Sequence, residues 1–173
     1  MTWTDPTTRQ TGDLITAAIW NGDVVDNLSY LHDRVVTRYF WPANVSQAFT
    51  AFGDHPAALL NSSQGQVYCP LNTPEDFDSL VAAEIVLVTA SDTANWPYAL
   101  YSDYGAASTG DYNAYDESLI GQSKSLTGNR LETIDVSGVL SNLGASMVAG
   151  VKITTSSVTN IYVLGLVLRY TRT

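Results

Sequence analysis

Ile161-Tyr162-Val163-Leu164-Gly165-Leu166-Val167-Leu168-Arg169-Tyr170 is the stretch that decides the fold. It is rich in β-branched and aromatic residues and too short to cross a bilayer, so it predicts a strand. Side chains alternate along a strand, which puts Tyr162, Leu164, Leu166, Leu168 and Tyr170 on one face and Ile161, Val163, Gly165, Val167 and Arg169 on the other. Both faces are apolar over most of the length. Strands of antiparallel sheets commonly meet water on one side, so something is expected to cover the outer face. A neighbouring subunit and the chain's own N-terminal helix are the two candidates, and Ile161, Val163 and Val167 are the candidate contact residues. Residues 147–154 read differently: Met147, Ala149, Val151 and Ile153 face inward, while Lys152 and Thr154 face outward.

Working back from that strand, short β-type runs separated by turns predict strands at 66–71, 83–89, 98–102 and 131–136, with weaker ones at 45–52, 112–115 and 118–121. Ser137 is placed to cap a short helical turn over 137–143. The expected fold is mainly β: an antiparallel, jelly-roll-like β-sandwich at 42–173, preceded at 1–41 by an extended arm and a helix.

The arm holds Trp3, Pro6, Gly12 and several Thr residues. Thr16 is a plausible N-cap, and Ala17, Asn21, Val24, Leu28, Leu31 and Val35 then follow at steps of four and three. That spacing predicts a helix over 16–36 with a seam of the kind that copies of one helix use to meet. Asn21 on the seam is the residue type that fixes register and copy number. Gly22 costs about 1 kcal/mol in a helix interior and allows a kink or break there. An isolated helix of this length is marginal in water, so it needs either sister chains or its own sandwich to pack on. Ala17, Asn21, Val24, Leu28, Leu31 and Val35 are therefore the candidate oligomerisation residues of the helix. Trp3, Pro6 and Ile15 are the candidate anchors of the arm.

The 173 residues suffice for one domain with an appendage. A net charge of −9, with the eight basic residues scattered, argues against nucleic acid and anionic membrane surfaces as partners. The single cysteine, Cys69, cannot form an internal disulfide, which fits synthesis in a reducing cytoplasm. No signal-peptide core opens the chain, and no apolar run is long enough for a spanning helix. Asn27, Asn44 and Asn61 begin N-x-Ser triplets, which read as chance without a secretory route.

No enzymatic signature emerges. Only His32 and His55 could serve a triad, and neither sits in a nucleophile motif. Asp111-Tyr112-Asn113-Ala114-Tyr115-Asp116 starts like a calcium loop but has Tyr115 and Asp116 where an acid or Asn and a Gly belong, so no metal or other cofactor is expected. Aromatic residues cluster from Trp96 to Tyr115. Trp96, Tyr98, Tyr101 and Tyr104 are candidate contacts for a sugar ring, against the plainer readings of core packing and subunit contact.

The opening Trp3-x-x-Pro6, Thr11-Gly12-Asp13-x-Ile15-Thr16-Ala17-Ala18-x-Trp20-Asn21 and Val25-x-Asn27-Leu28-x-x-Leu31 resembles the N-terminal segment of virion structural proteins of tailed bacteriophages. The body resembles their β-sandwich modules at Asp76-Phe77-x-x-Leu80-x-x-Ala83-Glu84, Tyr104-Gly105, Ile134-Asp135-Val136-Ser137, Gly150-Val151 and Leu164-Gly165-Leu166-x-Leu168-x-Tyr170. The resemblance implies a virion location, homotrimeric assembly, and attachment to the major capsid protein or another virion protein. Its members include capsid decoration proteins, head fibres, and tail or baseplate proteins. The absence of repeats and of a long heptad tract favours a compact knob. The expected function is thus non-enzymatic: capsid decoration or a head fibre. The alternative is a tail or fibre-tip protein that recognises host glycan.

Overall fold

The computed structural model describes residues 5, 8, 14–32, 34–43, 50–63 and 65–173, with 30–32 described by their backbone. Trp3 and Pro6 lie outside the described residues. Helix α1 (Ala17–Trp20) continues through a π-helical turn (Asn21–Val25) into α2 (Asp26–His32). Ten strands follow: β1 (Val36–Phe40), β2 (Thr50–Phe52), β3 (His55–Leu60), β4 (Gln66–Asn72), β5 (Phe77–Thr89), β6 (Thr93–Ala106), β7 (Tyr115–Leu126), β8 (Glu132–Asp135), β9 (Met147–Thr154) and β10 (Ile161–Arg172). A 3-10 turn (Ser137–Val139) precedes β9.

The strands form two antiparallel sheets, so the chain is mainly β with a sandwich architecture, as the sequence predicts. One sheet runs β2-β3-β10-β5-β8, with β1 also paired to β10; the other runs β4-β9-β6-β7. Between them lies a single large core built from the inward positions of both sheets. It includes Ile85 and Leu87 of β5, Trp96, Leu100 and Tyr104 of β6, Val151 and Ile153 of β9, and Leu166, Leu168 and Tyr170 of β10.

Two departures from the sequence reading matter. The first is the extent of the body. The helix stops at His32, Val35 falls in the lead to β1, and β1 pairs with β10 from Val36↔Tyr170 to Phe40↔Leu166. Val36 and Phe40 pack on the core, so the sandwich takes in residues that periodicity had assigned to the helix and arm.

The second departure is in β10, which does not alternate strictly. Val163 pairs with Leu87 of β5, and Gly165 pairs with the very next residue, Val86. Leu164 is thus an extra residue, a β-bulge, and a bulge reverses which parity points inward. Ile161 and Val163 before it, and Leu166, Leu168 and Tyr170 after it, all enter the one core and are buried. The expectation that Ile161 and Val163 face outward is corrected by that single insertion. The outer face is covered from within the chain. Ala57, Val88 and Leu164 form a second small core, flanked by Phe52, Val86 and Tyr162. Phe52 and Tyr162 meet with ring centroids 5.0 Å apart. Tyr39 crosses the strand and donates its hydroxyl to the Leu164 carbonyl at 2.7 Å. Val167, the third of the predicted contact residues, is half-buried beside Tyr39.

Candidate interaction surfaces

Thr16 caps the N-terminal helix, its hydroxyl accepting from the Ile19 N–H. The π-helical turn that follows closes with the Asp26 N–H donating to the Asn21 carbonyl, one residue further than an α-helical bond. A π turn brings positions five apart onto one line. Trp20 and Val25 are therefore brought toward one side of the helix, with Leu28 one α-turn on, and these three are 53%, 42% and 61% exposed. The predicted seam is broken at that turn: Ala17 and Asn21 are exposed, Val24 is half-buried, and the Leu31 side chain lies outside the description. Trp20 escaped the sequence reading because a uniform heptad step leaves it off the stripe. Gly22 was the only sequence signal of the irregularity. Leu14 and Ile15 are also exposed, and so is Val35. The extensive contacts of the three helical pieces are with one another, among the described residues. None of the side chains from Ala17 to Val25 is buried.

The four aromatic residues proposed for sugar contact do not share a surface. Trp96, Tyr98, Leu100, Ser102 and Tyr104 occupy the inward positions of β6, while Tyr101 and Asp103 point out. Trp96 is fully buried and stacks on Tyr98 at 5.4 Å. Tyr104 is also buried, stacks on Tyr115 at 5.1 Å, and its hydroxyl accepts from the Asn142 N–H at 3.0 Å. Beside it, Glu117 accepts from the Ser141 N–H and hydroxyl and from the Asn142 side chain. Burial alone would raise the Glu117 pKa, but these bonds together with one from Tyr104 outweigh it and hold the carboxyl below its ordinary value. Tyr104 and Glu117 thus anchor the turn at 141–142 to the β6–β7 pair.

Tyr101 belongs to a different surface, the outer face of the four-stranded sheet. Cross-strand register sets Tyr68 of β4, Lys152 of β9, Tyr101 of β6 and Ser118 of β7 in one row. The next row is Pro70, Gly150, Asp103 and Asp116. The Lys152 ammonium sits 4.3 Å from the centre of the Tyr101 ring. A depression of about 190 Å³ opens between Tyr68, Tyr101, Asp103, Gly150 and Lys152. A larger one of about 540 Å³ shares Asp103 and Gly150 with it and is bounded by Pro70, Val148, Gly105 and Tyr112. A third, of about 260 Å³, lies along the same strands at Pro97, Ala99 and Thr154 to Ser156. Gly105 lets the turn after β6 fold back over the sheet: a Cβ there would run into the Asp111 carbonyl oxygen. That turn carries Tyr112, which is 79% exposed.

Among the described residues, no group of three or more His, Cys, Asp or Glu side chains is placed to hold a metal ion. Cys69 is buried, and desolvation pushes its thiol up to about 12, the opposite of what a nucleophile needs. His55 is exposed at the start of β3. No helix among the described residues is long and apolar enough to cross a membrane.

No protein-family model matches the sequence, and no curated protein matches it. Among solved structures, the chain is similar to the carbohydrate-binding module TmCBM61, determined in complex with β-1,4-galactotriose. The identity is 7%, over 82% of this chain and 90% of that one, with a TM-score of 0.37. It is also similar to a chain in the structure of infectious bursal disease virus, Gx strain, at 10% identity and a TM-score of 0.36. That match covers 80% of this chain and 32% of the viral one.

Proposed function

We propose that this protein is a non-enzymatic structural component of a virion, of the capsid decoration or head-fibre type. Its N-terminal arm attaches it to the particle, its helical segment associates with two further copies, and the sandwich forms the knob. The observation that carries the reading is the exposed line of Trp20, Val25 and Leu28 on a helix with no buried side chain through its first two pieces. Fully burying a large apolar side chain is worth about 1.5–3 kcal/mol, so these three offer several kcal/mol to a matching surface. The helix itself is too short to be stable unsupported in water. The sandwich, by contrast, closes both of its apolar cores within one chain. The resemblance of the opening segment to tailed-phage virion proteins supports a virion as the place of attachment and a trimer as the assembly. Contact by several copies multiplies weak individual attachments.

Sedimentation of the full chain tests the assembly. The expected result is a trimer of the 18.7 kDa chain, converted to monomer by Trp20→Glu with Leu28→Glu, with an unchanged β-type circular dichroism spectrum. A parent that remains monomeric at high concentration would refute it. Attachment is tested by co-sedimentation with phage particles, which should be lost when residues 1–15 are deleted.

A further inference from the structure

We propose that the outer face of the β4-β9-β6-β7 sheet is a binding groove for a neutral polysaccharide chain. The groove uses Tyr68, Tyr101, Asp103, Gly150, Lys152 and Tyr112, and so shares only Tyr101 with the aromatic set that the sequence singled out.

Three observations support a ligand site here. The first is shape. The depressions follow β6 from Pro97 to Ala107, a path of about 30 Å at roughly 3.3 Å per residue. Two of them share Gly150 and Asp103 in their linings, and a Cβ on Gly150 would meet nothing within 4 Å. That missing side chain is the floor of the groove, because every other position in its row carries one: Pro70, Asp103 and Asp116.

The second is chemistry. The Tyr101 ring is propped by the Lys152 ammonium at 4.3 Å, and among the described residues Lys152 has no carboxylate partner. Asp103 and Asp116 stand directly opposite each other on neighbouring strands, a pairing of like charges that costs stability. An ammonium that donates and carboxylates that accept, beside aromatic rings, suit a ligand whose groups do both, and sugar hydroxyls do.

The third excludes the main alternatives. The depressions lie mainly over β9 and β6, the inner strands of this sheet, which are paired on both sides, so an added peptide strand has no edge to pair with along them; the open edges are those of β4 and β7. A hydrophobic protein contact would have to bury the Lys152 ammonium and the opposed Asp103 and Asp116 carboxylates, which stand among or beside the apolar lining, and charged residues are depleted from the cores of such contacts. With a net charge of −9 and one ammonium in the groove, an anionic chain is repelled as it approaches. A neutral glycan is the class that remains.

The test is isothermal titration of the full-length protein with cello-, xylo-, manno-, galacto- and maltohexaose, and with a hyaluronan hexasaccharide as the anionic comparison. At least one neutral chain is expected to bind. Tyr101→Ala and Lys152→Ala should each weaken it about tenfold or more, the usual cost of truncating a central contact residue. Gly150→Leu should abolish binding by filling the floor, with thermal stability unchanged because the space above it is open. Trp20→Glu with Leu28→Glu should leave the intrinsic site intact, which separates this proposal from the assembly reading. Binding of none of the neutral chains overturns the proposal. So does binding that survives Gly150→Leu, a preference for hyaluronan, or loss of the oligomer in Tyr101→Ala, which would make this face a contact between copies.

Discussion

Replacing Gly165 by alanine should be among the most damaging single-methyl changes in the molecule. Gly165 follows the bulge in β10, under the side chain of Tyr39. A Cβ there would lie 2.6 Å from the Phe40 carbonyl oxygen and 2.6 Å from both Cζ and the hydroxyl oxygen of Tyr39. The tyrosine ring can swing away, at the cost of its bond to the Leu164 carbonyl, worth about 0.5–1.5 kcal/mol. The Phe40 carbonyl cannot, because β1 is held to β10 by the strand ladder, and overpacking of that kind costs about 1–3 kcal/mol. The sum is about 1.5–4.5 kcal/mol. Urea unfolding followed by tryptophan fluorescence should show the midpoint falling by roughly 1–2 M, given slopes of about 1–3 kcal/mol/M for domains in this size range. In a Tyr39→Ala background the same substitution should cost less, by about 0.5 kcal/mol or more, since one of the two obstacles is gone. A Gly165→Ala protein within about 0.5 kcal/mol of the parent would refute both the close approach of β1 and the account of what covers the outer face.

Two further outcomes are expected. The Glu117 carboxyl lies below its ordinary value of 4.5 in the folded chain, so the stability it contributes is complete above that pH and is lost as pH falls through the folded-state value. Glu117→Gln should therefore be less stable than the parent at about pH 7, with the gap in urea midpoint narrowing at about pH 3. A gap that widened in acid would contradict this. In β10, Ile161→Ala should cost about 2–5 kcal/mol in chemical unfolding and Val167→Ala clearly less, whereas a strand whose odd-numbered residues all faced outward would make both costs small.

Much of the sandwich was legible in the sequence because its strands obey simple alternation. Residues 147–154 were read to the residue, and 66–71 and 161–170 fell within one or two residues of β4 and β10. The strands that escaped are those where composition misleads. β3 contains Pro56, Ala57 and Ala58, poor strand formers that earn their place by pairing with β2 and packing in the interior. β7 is an edge strand with mostly exposed polar side chains and a positive φ at Gly121, so only fragments of it looked extended. β1 was absorbed into the helical seam, since Val35 matches the heptad step and nothing local marks the end at His32. The groove was harder still. Its floor is a glycine and its walls come from four strands brought together by register, so no contiguous segment carries it. Of the four aromatic residues considered for sugar contact, Tyr101 alone lies on the outer face; Trp96, Tyr98 and Tyr104 share its neighbourhood in sequence and not its side of the sheet.

Leu164 has a wider meaning for the way this chain can change. Excising that one codon would leave Ile161, Val163, Leu166, Leu168 and Tyr170 in unbroken alternation, all still turned to the interior. The main core therefore makes no use of the additional residue, and only the small apolar cap on the far side does. The final strand is in effect an ordinary one carrying a single inserted amino acid, and that insertion lets one polypeptide shelter both of its surfaces unaided.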